Sequence, residues 1–560
     1  MSKCFFRCLS LALAVGSQAL AQNAPKAATP PTDSQASVSD LLRQASEAYH
    51  TGRLDAAIES YQIALRQEPK SAEAYAGLTR TYLKQQKISI AAQTAGKALQ
   101  EIDSPVIHTA LAEVYFRQAK MVESEREFIK GINTPHPDAL AYLGLSKIYD
   151  AYSLHAHAKA MLDKAHGLNP NNPEIQRRWV RTLKRSEQIE WLKNYLSGPT
   201  NDDPERRQGL QDFLTFLIGR EKQARSSCRL ATKLASTQAD LKSMLIDPTH
   251  LHGYGLSVKI NGHSSQLLLD TGASGLLINS KLARKAGIEP VSTSHFLGIG
   301  DQGSMSGYVG YADSIKVGEL EFKNCLVEVS DKRSILDDDG LIGADVFSHY
   351  LVTIDFPSQK LRLEELPKRP GEQEAAATLN TGENDEDSDA EETDSAKTDN
   401  AQTSSEKKER SSHGPYDRYI APEMQSYTKI FRFGHDLLIP TRIGNAPPTL
   451  FLIDTGAMLN SISPEAAREV TKVHDDPDMQ IRGISGSVKK VYSADKAMLQ
   501  FSRYKQENQD VVSMDLSSIS KNIGTEVSGI LGFVTLRLMT MQIDYRDGLV
   551  DFVYKPPGVR

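Results

Sequence analysis

Two aspartates occupy the same short setting, Asp270-Thr271-Gly272-Ala273 and Asp454-Thr455-Gly456-Ala457. Each follows an apolar run, Leu267-Leu268-Leu269 or Phe451-Leu452-Ile453, and eight positions after each stands an isoleucine, Ile278 or Ile462. A single Asp-Thr-Gly is common in turns and says little. A doubled one allows chemistry that one carboxyl cannot do. Two carboxyls held against each other cannot both ionise, so at moderate pH they share one proton. The ionised member can then take a proton from a water while the protonated member gives one to a carbonyl oxygen, which is what breaking an amide requires. The titration belongs to the pair, so the residues alone do not assign the proton to either aspartate. Gly272 and Gly456 lack a Cβ, which lets backbone N–H groups come close to the carboxylates.

Such a pair needs two matching scaffolds, and the chain repeats one. Val258-Lys-Ile-Asn-Gly262 precedes the first aspartate and Thr441-Arg-Ile-Gly-Asn445 the second. Gly340-Leu-Ile-Gly343 and Gly529-Ile-Leu-Gly532 follow, and eleven residues beyond each last glycine come Ile354-Asp355-Phe356 and Ile543-Asp544-Tyr545. Short alternating apolar runs with Gly and Asn turns read as strands. A turn that had merely been duplicated would have no reason to keep Asp, Thr and Gly together in both copies.

The doubled pattern resembles the retropepsin-like aspartyl proteases, with two lobes in one chain covering about 251–365 and 427–557. The resemblance implies two all-β lobes forming a bilobal aspartic peptidase, with the active site at their interface and endopeptidase activity that uses no cofactor and no metal. It makes Asp270 and Asp454 the catalytic pair. It implies that Thr271 and Thr455 bond across the lobe boundary and that Gly343 and Gly532 pack beneath the catalytic loops. Glycine-rich hairpins at 298–307 and 483–486 are candidate lids. Tyr308 and Tyr492 are candidate flap contacts and read equally well as strand residues. Pairing of the lobes within one chain or with a second molecule both fit. A rival reading from another class is a peptide- or protein-binding scaffold with inactive peptidase lobes; the two intact carboxyls count against it.

The rest of the chain is organised around these lobes. Residues 1–21 combine Lys3 and Arg7, an apolar core from Leu9 to Leu20, and a small-x-small end at Ala19-Leu20-Ala21. They predict a cleaved leader and hence a periplasmic or secreted protein. Residues 22–37 read as a linker. From 38 to 176 small residues recur at Ala57, Ala91, Ser124 and Ala158, and again seven positions later at Ala64, Ala98, Gly131 and Ala165. A step near 34 resembles an all-α solenoid of tetratricopeptide repeats, which implies a surface for a protein partner. Residues 177–249 read as a helical cap and connector, 250–366 and 426–560 as the two lobes. Residues 367–425 read as an acidic disordered linker: they include ENDEDSDAEETD, and from 367 to about 414 almost no large apolar side chain occurs. The formal net charge of −6 over 560 residues argues against a nucleic-acid partner. Neither a membrane span nor metal-ligand spacing is found, and the expected partner is a protein or peptide substrate. Cys228 and Cys325 remain after the leader; whether they bond is open.

Overall fold

The computed structural model describes residues 36–198, 204–222, 228–247, 250–296, 298, 300, 305–330, 339–370, 416–483 and 486–555. The candidate leader and 371–415 of the acidic stretch lie outside the described residues.

Eleven α-helices lie between Val38 and Lys222 among the described residues: α1 Val38–His50, α2 Leu54–Gln67, α3 Ala72–Lys84, α4 Ile88–Glu101, α5 Pro105–Arg117, α6 Met121–Ile132, α7 Ala139–Ala151, α8 His155–Leu168, α9 Pro173–Trp179, α10 Arg185–Ser197 and α11 Pro204–Lys222. The period visible in the small residues is also a period of caps. Ser37, Ser71, Ser104, Asp138 and Asn172 each accept backbone N–H bonds at the start of α1, α3, α5, α7 and α9. That bond satisfies a donor that the first turn leaves open. The turns inside the pairs repeat as well: Gly52, Gln86, Ala119 and Ser153 all have positive φ. Ala57, Ala91, Ser124, Ala64, Ala98 and Ala165 are fully buried where helices meet. Gly131 departs from alanine because α7 comes closer there; a Cβ would stand 2.9 Å from that of Ala141. The helical region is consistent with repeats, and the capping step continues at Asn172 into α9, which runs past the 176 boundary expected from sequence.

The sequence pattern stays helical to Ile246, but Arg229–Leu230 and Ser236–Asp247 are strands. Leu241, Met244 and Leu245 have helical spacing, which explains the expectation. Pairing is regular from Leu241 to Met244, so the two point to opposite faces and both faces are covered, Leu241 in the main core and Met244 against Leu268, Leu277 and Leu341; the register shift follows Met244, and Leu245 is exposed. The 367–425 stretch also has ordered ends. Arg369 is buried in an ion pair with Asp547, and Ala421 and Met424 are buried.

Both lobes share one plan. His263–Asp270 lies parallel to Gly340–Gly343, with Asp270 opposite Gly343. Thr449–Ile453 lies parallel to Gly529–Leu531, with Ile453 opposite Leu531. The Ile-Asp-aromatic strands join the lobes: Tyr350–Asp355 pairs antiparallel with Met539–Asp544, Val352 facing Ile543 and Ile354 facing Met541. Tyr254, Phe356 and Phe533 stack across that boundary at 5.6–5.7 Å between centroids. The lobes therefore pair within one chain, and one buried apolar cluster runs through both. Cys228 and Cys325 form a disulfide that ties the segment after α11 to strand Leu320–Ser330 of lobe 1.

The helices cover the outer face of lobe 2. Met121 packs on Leu438, Leu450, Leu452 and Ile530, Phe116 meets Phe433 edge-on, and Tyr152 meets Phe431. In addition, Thr525 Oγ1 donates to Phe116 O at 2.6 Å, and Glu526 N–H donates to Arg117 O at 3.0 Å.

Candidate active site

Each candidate aspartate ends an apolar strand at the lobe boundary, and both side chains are nearly buried, 8% exposed. Their carboxyls face each other, near enough for the charge on Asp454 to act on Asp270. The loops leave no room between them. A Cβ on Gly272 would stand 2.8 Å from Asp454 Cγ, and one on Gly456 would stand 2.6 Å from Asp270 Cγ. These glycines are needed for close approach. In return, Gly272 N–H donates to Asp270 Oδ1 at 2.8 Å and Gly456 N–H to Asp454 Oδ1 at 2.9 Å.

The threonines cross the boundary. Thr271 N–H donates to Thr455 Oγ1 at 3.0 Å, and Thr455 N–H donates to Thr271 Oγ1 at 3.1 Å. Each hydroxyl then donates to the strand before the other aspartate, Thr271 to Ile453 O at 2.8 Å and Thr455 to Leu269 O at 2.9 Å. Four neutral hydrogen bonds, at about 1 kcal/mol each, hold the two carboxyls in register. Gly343 and Gly532 lie against the loops, where a Cβ would crowd Ala273 O and Ala457 O.

Burial is the main cause pushing both carboxyls above the ordinary range, Asp270 furthest, with the neighbouring Asp454 charge adding to it. Ala457 N–H also donates to Asp454 Oδ1, at 3.0 Å, which supports the charged form of that carboxyl. The two carboxyls titrate as one unit that holds a proton in common.

The structure brings together eight of the ten residues singled out from sequence. Tyr308 lies on the paired strand Met305–Val317, opposite Thr293, and packs against the core. Tyr492 pairs with Asp475 and Ser513 and sits under the cations of Arg468 and Lys490. The hairpin tips at 297, 299, 301–304 and 484–485 lie outside the described residues.

Three residues escaped the sequence reading. Asp345, two positions after Gly343, accepts from Gly275 N–H and from Ser274 Oγ, both at 3.0 Å, and so braces the first loop. Asn460 braces the second: its Oδ1 accepts from Gly532 N–H at 2.9 Å, and its Nδ2 donates to Thr535 Oγ1 at 2.7 Å. Asp436 precedes the pair Leu438–Leu452 by two residues, so the same register sets it beside Asp454. Burial raises it to about 6, with the Asp454 and Asp345 charges adding and His435 opposing. Their spacing from Gly343 and Asp454 was readable, but only the folded loops show what they touch.

The family model described as aspartyl protease matches residues 256–346 and 439–534, one stretch in each lobe. Over 116 residues, 20% of this chain, the sequence is 28% identical to the UBA domain-containing protein Mud1 of Schizosaccharomyces pombe and to DNA damage-inducible protein 1 of Chaetomium globosum. It spans 34% and 25% of the length of those relatives. The solved aspartic proteinase from Irpex lacteus aligns over 57% of this chain and 98% of its own, at 12% identity and a TM-score of 0.32. The two matched stretches surround the two Asp-Thr-Gly-Ala loops, so both lobes, behind a helical N-terminal region, are similar to the aspartyl protease family.

Proposed function

We propose that this protein is an exported aspartic endopeptidase that activates water between Asp270 and Asp454, with the helical region recruiting a protein partner or substrate. One observation carries the reading: two nearly buried carboxyls face each other across glycines with no room for a side chain, each is held by an amide of its own loop, and crossed threonines fix their spacing. In this scheme the charged carboxylate draws the proton from a water as its oxygen attacks the amide carbon. The protonated partner donates to the carbonyl oxygen, and the amine later leaves with a proton from the pair. No step needs a group that the pair does not hold. Export rests on the leader pattern of residues 1–21.

The test is cleavage of a mixed peptide library by the full chain and by Asp270→Asn and Asp454→Asn. Asparagine cannot share a proton, so each variant is expected to lose at least about a thousandfold in kcat/KM, as when a member of a catalytic unit is removed. Circular dichroism should remain that of the parent. Full activity in Asp454→Asn would remove lobe 2 from the chemistry. An inactive parent with intact fold would favour the scaffold reading.

A further inference from the structure

A cavity of about 960 Å³ lies between the inner side of the helical region and the Phe431–Ile443 hairpin of lobe 2, lined by residues of α1, α3, α5, α7 and α9 as well as Arg432 and Asp436. Its charge runs against that of the chain. Nine lysines and arginines line it against five aspartates and glutamates, in a protein of formal net charge −6. Several of these cations have partners within the wall, such as Arg80 with Glu113 at 2.7 Å and Arg178 with Asp150 at 2.5 Å. Lys147, midway along α7, has no hydrogen-bond or ion-pair partner among the described residues, and burial draws its ammonium below the usual lysine range. A half-buried cation in a basic cavity, reached only by the more distant charges of Glu174 and Glu113, is the complement of a carboxylate.

The chain itself holds such a ligand. Residues 383–394, ENDEDSDAEETD, carry eight carboxylates in twelve positions and belong to the stretch outside the described residues. The described chain resumes beside the cavity. Tyr416 O accepts from His155 N–H at 3.2 Å and Asp417 pairs with His157, both at the start of α8. His155 in turn contacts Asp150, which lines the cavity. The twenty-two residues from Asp394 to Tyr416 can span up to about 70 Å, so reach sets no limit. A ligand tethered this way competes at an effective concentration on the order of millimolar.

We propose that residues 383–394 of this chain seat their carboxylates in the basic cavity, on Lys147 and the arginines of α9, and so occupy the surface in cis. The proposal stands on charge and connectivity and does not depend on peptidase activity.

Zero-length carbodiimide cross-linking of the full chain tests it, since that reagent joins an ammonium only to a carboxylate in contact. The expected product links Lys147 to a carboxylate within 383–394, in the same chain when ¹⁴N- and ¹⁵N-labelled proteins are mixed. It should disappear in Lys147→Met. The Lys496–Glu507 pair, 2.9 Å apart, is the internal control. A fluorescent peptide of sequence 383–394 should bind a variant with the eight acids changed to Asn or Gln at least tenfold more tightly than it binds the parent, and more weakly as salt rises. The control link without any link from the segment to a cavity lysine would overturn the proposal. So would links only between differently labelled chains, or equal peptide affinity in parent and variant.

Discussion

Lobe 1 and lobe 2 solve the same problem with the bracing reversed. In lobe 1 a carboxylate reaches up from the glycine strand: Asp345 takes the Gly275 N–H and the Ser274 hydroxyl of the loop. In lobe 2 an amide reaches down from the loop: Asn460 takes the Gly532 N–H and gives to Thr535. The Asp-Thr-Gly-Ala segments are identical, so the difference lies in what surrounds them. The same holds for the joining strands. Asp355 of lobe 1 is paired with Arg362 and Lys555 and held well below the carboxylate range. Its counterpart Asp544 lies near Asp547, and burial raises it to about 6. Even the outer faces differ, covered by Met244 of a strand in lobe 1 and by Met121 of the helices in lobe 2. Identity is retained where the lobes face each other and is lost where each meets its own neighbours.

The largest effect should come from cutting each brace. Asp345→Ala strands the Gly275 N–H, and Asn460→Ala strands the Gly532 N–H; a buried donor left alone costs about 1–3 kcal/mol. Both variants should melt earlier and lose turnover, although Asp270 and Asp454 are untouched. Thermal unfolding followed with peptide cleavage checks this. A parent-like melting point in either variant would show that its lobe does not rely on the brace.

The joining strands give opposite signs. Asp544 is raised to about 6 from an ordinary 3.8, so between those values the folded chain binds more protons than the unfolded one. Its contribution is full below about pH 4 and is lost as pH rises towards 6. Asp544→Asn should therefore stabilise the protein above pH 6, by at most about 3 kcal/mol at about 1.4 kcal/mol per unit, since asparagine can still accept the Asp547 N–H bond. Asp355 is depressed, so its contribution is present above its ordinary value and is lost as pH falls. Asp355→Asn should destabilise at pH 7 and have little effect at strongly acid pH. Arg362 and Lys555 are 38% and 42% exposed and can rehydrate, which limits the loss to about 1–2 kcal/mol. Denaturant midpoints from pH 2 to 8 read both signs, and parallel curves for the two variants would erase the contrast.

What could be read from sequence was whatever repeats at fixed spacing. The two Asp-Thr-Gly-Ala motifs, the Gly-apolar-apolar-Gly strands and the 34-residue step each occur more than once, so noise in one copy is checked by another. Asp345 and Asn460 were hidden because each brace is unique to its lobe and joins parts of the chain about 70 residues apart. The Ser236–Asp247 strand was hidden because both its faces are covered, so its buried apolar residues, Leu241 and Met244, fall three apart instead of alternating. The Cys228–Cys325 bond, 97 residues apart, had no repeat to give it away.

The smallest expected effect concerns the residue after each glycine, where the lobes agree. Many pepsin-like lobes, by the family resemblance, place a serine or threonine there; this chain has Ala273 and Ala457. A hydroxyl at that position could donate to the neighbouring carboxylate and favour its charge, and alanine offers only its backbone N–H. In lobe 2 that N–H reaches Asp454 at 3.0 Å. Burial already raises both carboxyls, and nothing from these side chains opposes it. The first proton should therefore leave the pair at higher pH than in lobes with the hydroxyl, and the one-proton state should persist closer to neutrality. The expected optimum is mildly acidic to near neutral. Ala273→Ser with Ala457→Ser should move the acid limb of kcat/KM downward by roughly half a unit to one unit, within the range that a single hydrogen bond provides. Because the change adds a donor to both lobes, each single variant should supply part of the shift. A parent optimum below about pH 3.5, under the unperturbed aspartate value, or a double variant with an unmoved acid limb, would mean that the side chain at this position does not tune the pair.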